Sequence, residues 1–282
     1  MTDSQLPLIT VRIPAYNHER YVRRALDSVL EQRYPNLEIV IIDDGSTDAT
    51  AARIREWIDQ HGDEIDIRFI SRENRGISAT LNELIQLSNG EYLVGLASDD
   101  YLTPDSISIR YEYLASHPDK QAVIGDVTVV DENGELLHDS GLSGLHTANK
   151  ENYLTDRGLK KEIIQNWSVP GSSIMVRREL HDMIHFDERL QFEDRDFYLK
   201  MIAGNLLGFV DRKVSCYRVH GRNACMSEFS RLINSKNKIR SLLWNINRFS
   251  VRDRLLFIRP VISAALGVVT YSTAYKLKKL FG

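Results

Sequence analysis

The 282-residue chain carries 36 Lys and Arg against 39 Asp and Glu and is 43% hydrophobic, which excludes a disordered or fibrous polymer and allows a sizeable core. Its two cysteines, Cys216 and Cys225, exclude a disulfide framework and offer no zinc spacing, and the polar start lacks a signal-peptide pattern, so a cytoplasmic setting is expected. From Glu228 to the end, eleven Lys and Arg face two Asp and Glu, so an acidic body precedes a basic tail suited to an anionic surface; with no nucleic-acid-binding signature in that tail, nucleic acid is not the expected partner.

In chain order, Ile9 to Ile13 reads as a strand and Glu19 to Gln32 as a helix, with Val22, Leu26, Val29 and Leu30 on one face. Glu38 to Ile42 is nearly all apolar, as for a strand covered on both faces. A turn at Asp44-Gly45 leads to a helix from about Thr47 to Gln60. Strands at Ile67–Ile70 and Tyr92–Leu96 alternate with helices at Ser78–Leu87 and Pro104–Ser116. This alternation predicts βαβ units and a mainly parallel, open α/β sheet. After Ala122 the pattern changes to an antiparallel excursion, Val127–Val130 and Glu135–Leu137 around Asn133-Gly134. The stretch Asp139 to Lys150 reads as a mobile loop. Ser173–Val176 and Gly208–Tyr217 read as strands, with a helix within Leu190–Ala203.

Ligands of an open parallel sheet sit beyond the carboxyl ends of its strands. Three polar clusters fall there: Pro14-Ala15-Tyr16-Asn17, Asp43-Asp44-Gly45-Ser46 and Ser98-Asp99-Asp100. Singly, each is most simply a turn or a helix cap. Together they bring four carboxylates to one crevice, and such a cluster suits a hard divalent cation, Mg²⁺ or Mn²⁺, with Asp99 and Asp100 as its expected ligands. No Gly-x-Gly-x-x-Gly or P-loop follows the first strands, so a metal is the expected handle on a diphosphate.

These residues resemble the family 2 glycosyltransferases, which have the GT-A fold. The resemblance runs through Ile13-Pro14-Ala15-Tyr16-Asn17, Ile42-Asp43-Asp44-Gly45-Ser46-Thr47-Asp48, Asn74-Arg75-Gly76, Asn89-Gly90-Glu91-Tyr92, Ser98-Asp99-Asp100-Tyr101-Leu102 and Phe192-Glu193-Asp194, over roughly residues 8 to 220. It implies inverting transfer of a sugar from a nucleotide-diphosphate donor, usually a uridine one. It places Pro14, Ala15, Tyr16 and Asp44 around the base, Arg75 near the nucleotide, Asp99 at the ribose or metal, and Asp100 at the metal. The family's metal motif commonly begins with Asp where this chain has Ala97, which leaves open which of Asp99 and Asp100 ligates the cation.

Inversion at an anomeric carbon needs one base for the acceptor hydroxyl. Asp194 shares a helix face with Phe197, Tyr198 and Met201, so its carboxylate is expected to point inward and to titrate high. By resemblance Asp194 is that base and Glu193 a neighbouring acceptor-side group; a helix start decorated with acids is the plain structural alternative. The Pro170-Gly171-Ser172-Ser173 loop, with Gly171 allowing close approach, belongs by resemblance to the donor or acceptor pocket. His220, in Tyr217-Arg218-Val219-His220, would complete the metal site, and Trp167 would stack on a sugar or pack in the core.

In the tail, residues 226–282 against a catalytic domain of 1–225, an apolar stripe (Leu232, Ile239, Leu242, Leu243, Ile246) has basic neighbours. Pro260 to Tyr275 then runs 16 residues without charge. That is short for a span, so a helix lying at the inner face of the cell membrane is expected, alongside packing on the body or on a second subunit in a homo-oligomer. A glycan or lipid-linked acceptor fits that position. A nucleotidyltransferase would need basic, Gly-rich contacts at the first strand, and a non-catalytic sugar- or nucleotide-binding module would ignore Asp194→Asn.

Overall fold

The computed structural model describes residues 6–167, 169, 171–221 and 228–281; Pro170 and Cys225, singled out above, lie outside them. The first unit is β1 (Ile9–Ala15), α1 (Val22–Leu30), β2 (Leu37–Asp44), α2 (Thr50–His61), β3 (Asp66–Arg72), α3 (Ile77–Leu87) and β4 (Tyr92–Gly95). β1 pairs in parallel with β2 and β4, and β2 with β3. β1 and β2 are buried almost end to end; in β2 this gives the continuous apolar run Ile39–Ile42, and in β1 Ile9, Val11 and Ile13 alternate with buried Thr10 and Arg12.

The second half adds β5 (Tyr101–Leu102), α4 (Ser106–Ser116), β6 (Ala122–Val130), β7 (Leu136–His138), α5 (Asp156–Asn166), β8 (Ile174–Arg177), α6 (Leu180–Met183), α7 (Asp194–Ala203) and β9 (Leu207–Arg218). The sheet order is β3-β2-β1-β4-β8-β6-β9-β5, with β7 beside β6. β8 runs antiparallel between β4 and β6, while β6 and β9 are parallel to each other. The sheet is therefore mixed, and most of its strands share one direction. Three apolar clusters cover it: one joins α1 and α2 to β1 and β2, the second joins α5 and α7 to β6 and β8, and a small third joins Leu84 of α3 to Val40 and Ile42 of β2.

Residues 139–150 are not the mobile loop expected. Gly141–Leu145 forms a single π-helical turn, and Ser140 Oγ donates to buried Asp126 at 2.7 Å. Leu142 is fully buried, and Lys150 reaches the same carboxylate at 3.2 Å. Polar composition suggested freedom; one buried acid with several partners orders the segment. Helix α5 has no counterpart among the expected elements.

The tail forms α8 (Glu228–Asn245), α9 (Val251–Arg254) and α10 (Ile258–Phe281). Leu242, Phe249 and Phe257 join the cluster of Phe197 and Leu199, so the start of the tail is part of the body's core. α10 is longer than the uncharged run suggested. Val251–Thr273 contains an 18-residue stretch of mean hydropathy 1.6, and the segment is by length and composition able to cross a membrane. On its outer side Val251, Leu255, Ile258, Ile262, Leu266 and Val269 are exposed.

Candidate active site

The carboxyl ends of β1, β2 and β4 and the start of α7 enclose a cleft of about 490 Å³. Pro14, Ala15, Tyr16, Asp44, Asp99, Glu193 and Asp194 all line it, with His18, Asn74, Ser98 and Phe192. Residues from distant stretches meet there because the parallel strands end on one edge.

Each Asp-Asp pair is divided by its position. Asp44 and Asp99 line the cleft, whereas Asp43 and Asp100, each 1% exposed, lie beneath it. The strand alternates its side chains between faces, which accounts for the split at Asp43-Asp44. Asp43 accepts from Ser71 Oγ at 3.0 Å. Asp100 accepts from Ser172 Oγ at 2.6 Å and from the Arg218 N–H at 2.9 Å. Burial, and then the charge of Asp99, push the Asp100 carboxyl well above its ordinary value against those two donors. Asp100 thus underpins the loop from beneath the cleft.

Asp44 is held by Arg72 in an ion pair and by the backbone N–H groups of Arg75 (2.8 Å) and Gly76 (3.0 Å). Arg75 acts here through its backbone; its exposed guanidinium pairs with Glu83 at 3.2 Å. Arg72 escaped the sequence reading because one Arg at a strand end carries no signal of its own. Gly45 has φ +75°, and a Cβ there would lie 2.6 Å from the backbone nitrogen of Asn74. Glycine is thus required for β2 to turn against this loop.

Asp99 is the hinge of a second group. Its Oδ2 lies 3.1 Å from His220 Nε2 and 3.6 Å from His18 Nε2, and the three ligand atoms fall within 4.8 Å of one another. His18 Nδ1 is 2.8 Å from Ser98 Oγ, which orients the ring, and Tyr21 stacks on His220 at 4.9 Å. Burial alone would raise Asp99, but the His220 hydrogen bond and the His18 ring bring it below the usual range. Desolvation lowers His18 despite Asp99. His18 was missed in the sequence, where a lone histidine after a turn is unremarkable.

At the other wall, Glu193 precedes α7 and Asp194 opens it. The inward orientation expected of Asp194 is reversed: its side chain is open to the cleft, while Glu193 is 8% exposed. As first residue of α7, Asp194 sits where the helix meets the cleft, and Phe197, Tyr198 and Met201 turn into the core. Desolvation and the Asp194 charge push Glu193 up to about 8. Desolvation also raises Asp194, opposed by Arg195. Near neutrality Glu193 keeps its proton. Trp167 is covered by the Arg195 guanidinium, 4.1 Å from its ring centre. A Cβ on Gly171 would lie 3.5 Å from the Tyr217 ring and 3.7 Å from Asp100 Oδ2, so this glycine packs beside the buried acid.

A family model described as glycosyl transferase family 2 matches residues 10–184. Chondroitin synthase of Escherichia coli is 35% identical over 136 residues, 48% of this chain and 19% of that protein. An uncharacterized glycosyltransferase of Haemophilus influenzae is 26% identical over 274 residues, 97% of this chain and 99% of the relative. The chain spans 19%, 33% and 38% of the chondroitin synthase and of two Rickettsia glycosyltransferases, from R. bellii and R. felis, respectively. Among solved structures, the mannosyltransferase PcManGT of Pyrobaculum calidifontis, in complex with GDP-Man and Mn²⁺, superposes with a TM-score of 0.68 at 21% identity, covering 99% of this chain and 77% of that one. S. aureus TarS 1-349 in complex with UDP-GlcNAc gives 0.61 at 17%, covering 93% and 81%. These likenesses establish the GT-A-type fold. Since the family model covers more than half of the sequence, the chain belongs to glycosyl transferase family 2.

Proposed function

We propose that the protein transfers a sugar, with inversion, from a nucleotide-diphosphate donor of the UDP type to a hydroxyl of a glycan or lipid-linked acceptor, with Asp194 as general base. The observation that carries this reading is the meeting of Asp44, Asp99 and Asp194 in one cleft of about 490 Å³. Asp44 has three donors, which leaves a carboxylate acceptor capacity for a base ring N–H. Tyr16, half exposed at the rim beside Pro14 and Ala15, offers a ring for the base. Asp194 takes the acceptor proton, with the protonated Glu193 behind it.

A divalent cation, Mn²⁺ or Mg²⁺, fits the donor set of Asp99, His18 and His220, two imidazole nitrogens and a carboxylate oxygen already gathered. Bound there, such an ion supplies charge neutralisation for a departing diphosphate. The GDP-Man and Mn²⁺ of one structural neighbour and the UDP-GlcNAc of another favour this assignment. The exposed apolar side of α10 and the basic tail favour a peripheral position at the inner face of the cell membrane. A panel of nucleotide sugars, assayed for cation-dependent hydrolysis and for transfer with and without a lipid-borne acceptor, tests the reading. Nucleotide binding without sugar release under any condition would leave a non-catalytic binding module instead.

A further inference from the structure

Helix α8 carries Asn237, Ser241 and Asn245 one turn apart on a single face, buried to 4%, 0% and 1% exposure. A face that served packing alone would be apolar, since a buried amide is costly until its hydrogen bonds are made. This face packs on α7 and on the segment leading into it, and both asparagines direct their amides there. The side-chain oxygen of Asn237, oriented by the donors it faces, accepts from the backbone N–H groups of Gln191 at 3.1 Å and Phe192 at 3.2 Å. Asn245 Nδ2 donates to Asp196 Oδ1 at 2.7 Å and to the Ser241 carbonyl oxygen at 2.8 Å.

These contacts bracket Glu193 and Asp194. Gln191 and Phe192 line the cleft beside them, and the carbonyl oxygen of Leu190, just before, accepts from Ser78 Oγ at 2.7 Å. Asp196 follows Asp194 by two residues, which is about 200° around a helix. Holding Asp196 against α8, where it is 2% exposed, therefore turns Asp194 outward to the cleft. Helix α8 is itself backed by α10, which approaches so closely that a Cβ on Gly267 would lie 2.7 Å from Ser235 Oγ. The segment that carries the proposed base is thus held at both ends by one helix of the tail.

We propose that Asn237 is a positioning residue for sugar transfer: with Asn245 at the other end, it holds residues 191–196 so that Asp194 meets the acceptor hydroxyl, which makes α8 a working part of the active site. The proposal rests on the glycosyl-transfer reading. Its test compares Asn237→Leu, which keeps the side-chain size and removes the acceptor, with Asn237→Asp, which keeps an acceptor oxygen. In Asn237→Leu, kcat for transfer should fall by about 10–100-fold, the scale of an ångström-sized displacement of a reacting group, while donor affinity stays within about twofold. Asn237→Asp should recover most of the rate. Amide hydrogen exchange over residues 190–194 should run about tenfold faster in Asn237→Leu, as for the loss of a net hydrogen bond, and near the wild-type rate in Asn237→Asp. Thermal melting checks that the variants fold, and Asn237→Ala, smaller and also without the acceptor, replaces Asn237→Leu if that variant does not. Unchanged exchange in the variant without the acceptor overturns the proposal. So does a loss of donor affinity that matches the loss of rate, or an Asn237→Asp variant no faster than Asn237→Leu. Absent donor turnover in the wild type refutes the glycosyl-transfer reading, and with it the catalytic half of the proposal, whereas the exchange comparison decides the clamp by itself.

Discussion

His18 and His220 approach one oxygen of Asp99 from opposite ends of the folded chain, with their rings 5.7 Å apart and nearly perpendicular. Cis ligands of an octahedral ion at about 2.1 Å are about 3 Å apart, so the 3.1 Å spacing of His220 and Asp99 needs almost no adjustment and the 3.6 Å of His18 little. Two nitrogen donors disfavour Mg²⁺, which prefers oxygen, relative to Mn²⁺. Mn²⁺ titration followed by electron paramagnetic resonance should show tighter binding than Mg²⁺ competition. His220→Ala and His18→Ala should each weaken Mn²⁺ by about 10–100-fold. Unchanged Mn²⁺ affinity in both variants would move the cation elsewhere.

Asp194→Asn keeps the size of the side chain and the acceptor of the Arg195 N–H, and removes only the basic oxygen. Transfer should fall by about 10²–10⁴-fold, the usual worth of a positioned base, with donor affinity nearly intact. Steady-state transfer and nucleotide titration together check this. A drop in donor affinity that matches the drop in rate would make Asp194 a binding residue.

The strands β2 and β4 were legible because burial on both faces leaves short apolar runs, and β1 and the edge strand β3 because Ile9, Val11 and Ile13, and Ile67, Phe69 and Ile70, recur between turn residues. Asp44, Asp99 and Asp194 were legible as a motif set. What escaped was decided by partners far away in sequence. Asp100 differs from Asp99 only through Ser172 and Arg218, and nothing local marks the difference. Asp194 opens to the cleft and not inward because the helix begins at Asp194, one residue of phase that periodicity does not resolve. The ordering of residues 139–150 depends on Asp126, whose partners Lys150 and Lys213 arrive from other elements. Antiparallel β8 between β4 and β6 is likewise a matter of topology, and its four-residue apolar run carries no direction.

Gly90 illustrates a motif residue whose reason is steric. A Cβ there would lie 2.6 Å from the Thr10 backbone nitrogen and 2.9 Å from the Leu8 carbonyl oxygen. The Gly90 N–H also donates to Thr10 Oγ1 at 2.9 Å, beside Glu38, which accepts from Thr10 and Asn89. Gly90→Ala should therefore cost about 1–3 kcal/mol by overpacking, measured by urea unfolding. A neutral result would mean that β1 and the turn before β4 separate without penalty.

The outer side of α10 gives a membrane prediction. Ile262 and Leu266 are 55% and 63% exposed, and each would contribute up to about 1.5–3 kcal/mol if buried in a lipid interface. The double variant Ile262→Glu/Leu266→Glu should float with phosphatidylglycerol vesicles more than about tenfold less than wild type while melting at a similar temperature. Equal flotation would assign that side to another role, such as a subunit contact.

Glu193 ties the site to stability. Its folded-state value, about 8, lies above the ordinary 4.5, so the folded protein holds a proton that the unfolded chain releases from about pH 4.5 upward. Between pH 5 and 8 this group therefore makes stability fall as pH rises, by up to about 1.4 kcal/mol per pH unit. Below pH 4.5 both states are protonated and the effect vanishes; above pH 8 the loss is complete. Glu193→Gln removes the titration, so its melting temperature should decline less than that of wild type from pH 5 to pH 8, and the variant should gain relative to wild type at pH 8. Parallel melting curves for the two proteins across that range would mean that Glu193 is ionised in the fold.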